Sequence, residues 1–265
     1  MTRQMSGGDG GDARAETAAY YDMAPDFPRD IPFYLEQITN PAASVLELGC
    51  GTGRVTLPLA RQARFLHGID LSPAMVARCR ERLSQAGIGP SRAVATVGDI
   101  TQLDLGYQFD CIIAPYRVFQ NLATDAEVAG LFATIRTHMA TGGRCILNTF
   151  MPRADPSVLI AKWLTPEEDL DWELPVDGGV VQCHVRRAGV RTQPLVLFPD
   201  LIYRRYRDSQ LVDEAVSSIA MRCWYPDELQ ERIRQEGFEV TGRWGGYQGE
   251  GWSSGPELII AFTRS

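Results

Sequence analysis

Histidine is scarce in this chain of 265 residues, which holds only His67, His138 and His184. The six cysteines stand apart at positions 50, 79, 111, 145, 183 and 223. No two lie within five residues, so zinc-ligand spacing and the redox C-x-x-C pair are both missing. Long apolar runs are missing too, with none near the ~18 residues of a membrane span. No signal-peptide pattern opens the chain. Positive charge is outweighed, with 26 Lys+Arg against 33 Asp+Glu and a formal net charge of -7. That balance gives no electrostatic footprint for DNA or RNA. These absences predict a reduced, cytoplasmic protein with no metal site, no nucleic-acid partner and no membrane partner. Hydrophobic residues at 45% and charged residues at 22% are ordinary globular usage.

What is present is concentrated in Val45-Leu46-Glu47-Leu48-Gly49-Cys50-Gly51-Thr52-Gly53. A short apolar strand runs into three glycines spaced by two, ahead of a predicted helix from Arg54 to about Arg64. A second apolar stretch, Phe65-Leu66-His67-Gly68-Ile69, closes on Asp70. Strand, glycine turn, helix, strand and acid make a nucleotide-binding βαβ unit. Glycine serves where backbone turns tightly or approaches a ligand closely, and free N–H groups at the helix start face what is bound. The dinucleotide fingerprint places its last glycine three residues after the second. Here that position is Arg54, whose side chain would crowd a pyrophosphate. A nicotinamide-dependent oxidoreductase is thus the disfavoured alternative, and a cofactor-binding protein without chemistry is the other.

The pattern E-x-G-x-G-x-G resembles motif I of the class I S-adenosylmethionine-dependent methyltransferases, of the small-molecule type with a methyltransferase domain 25/11-like core. The resemblance implies that the turn passes under the amino-acid part of S-adenosyl-L-methionine, and that Asp70 holds the ribose hydroxyls. It extends to Asp99-Ile100, after the strand Ala93–Val97, in the place of the acidic loop that reads the adenine amino group. Strand Phe109–Ala114 then leads into Pro115-Tyr116-Arg117, where the family lines its transfer site. A helix from about Asp125 to Met139 and the pair Gly142-Gly143 precede a fifth strand, Arg144–Phe150. The implied cofactor set is Tyr20, Glu47, Gly49, Cys50, Gly51, Gly53, Asp70, Leu71, Met75, Gly98, Asp99, Ile100, Ala114 and Pro115.

The expected fold is α/β: a Rossmann-like doubly wound seven-stranded sheet with its last strand antiparallel, plus an inserted three-stranded antiparallel meander. Residues 1–17 read as a disordered tail, rich in Gly, Asp, Arg and Ser. Residues 18–150 read as the cofactor-binding core, with a helix over Asp30–Ile38 before its first strand. Residues 151–223 read as the insertion, an acceptor lid or dimerisation element. Its strands would be Val180–Arg186, Leu195–Arg205 and Leu211–Arg222, with turns at Ala188-Gly189 and Asp208-Ser209. No helix between them is long enough for a crossover, so they pair antiparallel. Residues 224–265 return to the core, with a helix from Pro226 to Gln235 and strands Phe238–Trp244 and Glu257–Thr263.

Methyl transfer from a sulfonium is an in-line displacement, so alignment and water exclusion are the protein's main tasks. A base is needed only if the acceptor carries a proton. The expected acceptor is a small-molecule amine or hydroxyl. The candidates beside it are Tyr21, Tyr116 and Arg117, with His184 as the one plausible imidazole base should the insertion roof the site. His67 reads as packing and His138 as a helix-end residue. Ala114-Pro115-Tyr116 lacks the Asn or Asp and the second proline that hold a planar amine in DNA adenine methyltransferases. Thr165–Asp177 carries six acids and no base. Beside Trp163 and Trp172 those acids could draw a cationic amine, but they are read as a solvated linker. The resemblance to amino-sugar N,N-dimethyltransferases implies a possible homodimer through the meander.

Overall fold

The computed structural model describes residues 16–25 and 30–264. The tail expected over residues 1–17 lies outside the described residues except for Glu16 and Thr17.

The chain opens with α1 (Ala18–Tyr21) and α2 (Asp30–Gln37). Alternation follows: β1 (Ser44–Leu48), α3 (Thr56–Gln62), β2 (Phe65–Asp70), α4 (Pro73–Gln85), β3 (Ala93–Val97) and β4 (Phe109–Ala114). After α5 (Asp125–His138) and β5 (Met139–Phe150) comes α6 (Pro156–Trp163). Next run β6 (Glu168–Val176), β7 (Gly179–Thr192), β8 (Leu195–Arg207), β9 (Gln210–Ser218) and β10 (Met221–Arg222). The chain ends with α7 (Pro226–Gln235), β11 (Phe238–Trp244) and β12 (Glu257–Arg264).

The main sheet has seven strands in the order β11-β12-β5-β4-β1-β2-β3. β12 lies antiparallel to both neighbours and the other pairs are parallel. Every residue of β1 is buried, as a parallel strand covered on both faces requires. One core packs α5 and α7 against the sheet, with Trp224, Phe119, Phe132 and Phe262 at its centre. The other packs α2, α3 and α4 on the opposite face around Tyr34, Leu59, Leu66 and Val76. Local signals set the helix starts. Ser72 accepts from Met75 N–H with Pro73 behind it, and Thr124 and Glu127 form a reciprocal capping box on α5. Strand order reverses between β1 and β4, and ligands of open parallel sheets sit beyond such a switch point.

The second sheet differs from the expected meander in three ways. The acidic stretch read as a linker forms β6, which pairs with β7. Ala188-Gly189 is a bulge inside β7 rather than a turn, so that strand reaches Thr192. The run from Leu211 is split into β9 and β10, which lie in line along the same edge of β8. The turn at Asp208-Ser209 is present, with both residues at positive φ. A small core of Tyr20, Val181, Cys183, Tyr203 and Ala215 holds the N-terminal segment to this sheet. In the main sheet β5 starts at Met139, bulges, and resumes at Arg144 beside Cys111.

Candidate active site

The glycine turn sits at the switch point and is tied to β2. Gly49 and Cys50 N–H donate to Ile69 O at 2.7 and 2.9 Å. Gly51 N–H donates to Asp70 Oδ2 and Ser72 N–H to Asp70 Oδ1, both at 2.9 Å. Asp70 thereby fixes the turn and the start of α4 while lining the cavity above them. A Cβ added at Gly51, where φ is +53°, would meet only Tyr21 Cε1 at 4.0 Å. The backbone there is open toward the cavity, so a ligand can lie directly on it.

That cavity of about 840 Å³ is within the ~300–1,000 Å³ range of ligand sites. One end is formed by Glu47, Gly49, Cys50, Gly51, Asp70, Leu71, Met75, Gly98, Asp99 and Ile100. Leu71 keeps 70% of its surface exposed beside Asp70, an apolar patch that a flat ring can cover. Asp99 accepts from Thr101 N–H, Thr101 Oγ1 and Gln102 Nε2. Burial raises its pKa and these bonds more than reverse that, so it is held below the usual carboxylate range. Glu47 is buried and accepts from Thr56 Oγ1 at 2.6 Å, and burial raises its pKa well above normal. The Cys50 thiol is also held protonated, by a hydrogen bond with Cys79 and by burial. No group of three or more possible metal-binding side chains occurs among the described residues.

The middle of the cavity belongs to the turn after β4. Tyr116 and Arg117 are both left-handed, with φ of 52° and 66°, a conformation that costs of order 1–3 kcal/mol each. The turn is held from behind. Arg117 N–H donates to Asn148 Oδ1 at 2.8 Å, and Asn148 Nδ2 donates to Glu257 Oε2 at 2.9 Å. Glu257 also takes the Arg117 guanidinium through Nε and Nη2. Tyr116 is thereby set edge-on to Tyr21, with ring centroids 6.1 Å apart, and burial raises its pKa. Arg54 lies 5.4 Å from the Tyr116 ring centre. It is paired through both terminal nitrogens to buried Asp30, at 2.6 and 2.7 Å.

The far wall is the second sheet. Asp171, Trp172, Cys183, Val185, Leu201, Tyr203 and Ser217 line the cavity from it, and Trp163 at the end of α6 lines the same cavity. The N-terminal segment spans the two ends. Thr17, Tyr21 and Ala24 line the cavity, while Asp22 accepts from Thr52 Oγ1 at 2.6 Å and from Arg82.

Most of the expected site residues meet at this cavity, and four do not. His184 lies between Cys183 and Val185, which both line the cavity. Side chains alternate along a strand, so the imidazole is turned to the other face, where it meets Glu168 and Gln182. Tyr20 stacks on Tyr203 at 5.3 Å and donates to Asp213. It supports the wall from behind. Gly53 packs against α4, where a Cβ would lie 2.8 Å from Cys79 Sγ. Ala114 is sealed in the core under the sheet. The residues missed include those of β6 to β9, together with Arg54, Glu127 and Trp163. The sequence signal for β6 is the Trp-flanked acidic run.

The strand order, the switch-point cavity and the glycine turn define the class I S-adenosylmethionine-dependent methyltransferase fold, and residues 45–143 match a family model described as a methyltransferase domain. That match covers less than half of the chain. In sequence it resembles a malonyl-acyl-carrier-protein O-methyltransferase of Anoxybacillus flavithermus, at 28% identity over 142 residues, 52% of this chain and 51% of that protein. It also resembles a dTDP-3-amino-3,4,6-trideoxy-alpha-D-glucopyranose N,N-dimethyltransferase of Streptomyces venezuelae, at 25% over 119 residues, 45% of this chain and 47% of that protein. The chain thus spans about half the length of the curated relatives it matches. In fold it is similar over nearly its whole length to the CcbJ methyltransferase from Streptomyces caelestis. The TM-score is 0.78 at 20% identity, covering 97% of this chain and 99% of that one. None of these findings supports the nicotinamide alternative.

Proposed function

We propose that the protein transfers a methyl group from S-adenosylmethionine to the amine nitrogen of a small molecule. One observation carries this reading: the glycine turn, with Asp70 and Asp99, opens into the same cavity as the aromatic wall of the second sheet. A donor on the turn and an acceptor on the wall would share one cavity. When bound, S-adenosylmethionine supplies a methyl carbon activated by its positive sulfonium sulfur.

The residues then divide the work. Gly51 gives flat backbone for the amino-acid part, and Asp70 keeps a lone pair on each oxygen for ribose hydroxyls. Asp99 and Ile100 stand where the base would lie, with Leu71 and Met75 as apolar cover. Tyr21 and Tyr116 border the transfer path, held by the Arg117–Glu257–Asn148 lattice. Arg117 serves there as a strut.

An amine fits this cavity better than a hydroxyl. Asp70, Asp99, Glu127 and Asp171 line it, whereas its guanidiniums, Arg54 and Arg117, are held by Asp30 and Glu257. No imidazole lines it among the described residues. A hydroxyl must lose its proton to a base during attack, while an amine that has shed its proton attacks through a free lone pair.

Net charge of -7 supports a reading without nucleic-acid partners. All six cysteines are free, which supports a cytoplasmic place. No helix among the described residues is long and apolar enough to cross a membrane. The edge strands β6 and β9 expose Leu170, Leu211, Val212 and Val216, which supports homodimerisation through the second sheet.

The test is product analysis after incubation with S-adenosylmethionine and a mixed panel of small amines and alcohols. The reading requires S-adenosylhomocysteine release with one-methyl mass gains confined to amines. Gains confined to alcohols, or none despite cofactor binding, would overturn it.

A further inference from the structure

We infer that the acceptor presents an apolar body to the wall of the second sheet and carries no phosphate: it is an amine on a lipophilic frame. This rests on the reading of the cavity as a methyl-transfer chamber. Side chains alternate along β7 and β8. Cys183 and Val185 on β7, and Pro199 and Leu201 on β8, line the cavity. His184, Arg186 and Asp200 fall at the alternate positions. There Arg186 donates to Asp200 Oδ2 through Nε and Nη2, at 3.2 and 2.7 Å. At these positions the two strands turn apolar atoms to the cavity and charge away from it.

The chain between β9 and β10 extends this surface with Ile219, and β10 adds Met221. Val185, Leu201, Ile219 and Met221 are each half-buried, so part of the apolar surface stays uncovered by the protein. Covering such surface is favourable roughly in proportion to its area. Ligand sites are lined mostly by side chains of this kind, with a few polar groups that orient the ligand.

The polar part of the lining turns a phosphate away. Among the described residues two guanidiniums line the cavity, Arg54 and Arg117. Asp30 binds the first through both terminal nitrogens, and Glu257 binds the second. Asp70, Asp99 and Glu127 add acidic groups to the same space. A helix start draws anions, but that of α5 is taken by its own acid. Glu127 accepts from Thr124 N–H at 2.8 Å and lines the cavity. Beside it Arg191 donates to Ala123 O and Arg222 to Asp125, and neither lines the cavity. A phosphate on the acceptor would meet like charge and guanidiniums that already have partners. The lining therefore selects against a phosphorylated or nucleotide-borne amine.

The test titrates straight-chain primary amines, from butylamine to octylamine, into the full chain saturated with S-adenosylhomocysteine, followed by NMR. Affinity should rise about threefold with each added methylene. A matched probe, 6-aminohexyl phosphate, should bind about tenfold or more weakly than hexylamine. Leu201→Ser and Ile219→Ser should each weaken octylamine by about fivefold or more, with S-adenosylhomocysteine affinity unchanged in both. A flat series in the unaltered protein would overturn the proposal, as would equal or tighter binding of the phosphate. An undiminished rise in both variants would overturn it too. Failure of S-adenosylhomocysteine to bind the unaltered protein would instead overturn the methyltransferase reading beneath it.

Discussion

A Cβ at Gly49 would fall 2.3 Å from Val118 Cγ2 and one at Gly53 2.8 Å from Cys79 Sγ, whereas one at Gly51 would meet only Tyr21 at 4.0 Å. Two glycines of the motif therefore let neighbouring elements close against the turn, and the third leaves room for a ligand. Substitution separates these roles. Gly51→Val should cost about 1–2 kcal/mol of stability, from the left-handed backbone alone, and reduce S-adenosylhomocysteine affinity by about a hundredfold or more. Gly49→Val should fail mainly in folding, through the clash with Val118. Thermal unfolding with calorimetric titration checks both, and normal cofactor affinity in Gly51→Val would remove the turn from the site. The motif was readable as a binding turn because its spacing is local. That Gly51 is the glycine of the motif with open space over its backbone was not, since Val118 and Cys79 come from distant parts of the chain.

At the scale of elements, β1 to β5 were legible as apolar runs ended by turn residues, and α5 and α7 as the helices that precede and follow the second sheet. β6 was not. Its acids look solvated until Arg187 on β7 and Arg204 on β8 are placed beside them, and strand pairing at that separation leaves no periodic trace. His184 shows the complementary limit: alternation separates it from Cys183 and Val185, but only sheet packing decides which set faces inward. His67 on β2 carries a pH signature. It is enclosed between Tyr107 OH and Thr96 Oγ1, and burial first, then the charge of His138, lowers its pKa to about 4. The unfolded chain, with a histidine near 6.5, takes up this proton before the folded one. The stabilisation by neutral His67 is thus complete above about pH 6.5 and lost as pH falls toward 4, by up to about 3 kcal/mol. Urea unfolding at pH 7.5 and pH 5 should show this loss in the natural protein. The loss should shrink in His67→Gln, and an identical loss in that variant would refute the assignment.

For the whole molecule the arrangement is two sheets facing one cavity, with the N-terminal segment strapped between them. Asp22 bonds the strap to Thr52 in the glycine turn and to Arg82 on α4, while Tyr20 stacks on Tyr203 in the second sheet. The strap thus links the glycine-turn end of the cavity to its second-sheet wall. Asp22→Ala should weaken S-adenosylhomocysteine binding about tenfold, the scale of one hydrogen bond to a charged group, and leave the thermal midpoint within a few degrees. The core sheet and the donor end could be read from sequence because a shared cofactor imposes shared residues. The second-sheet wall could not, because its residues are gathered from four strands by pairings no motif records. The account turns most directly on one measurement, calorimetric titration of the full chain with S-adenosylhomocysteine, repeated on Asp70→Asn. It predicts one site per chain with a dissociation constant of about 10 µM or tighter, weakened by about 1.5–3 kcal/mol in the variant. Absence of binding, or equal binding by both proteins, would contradict it.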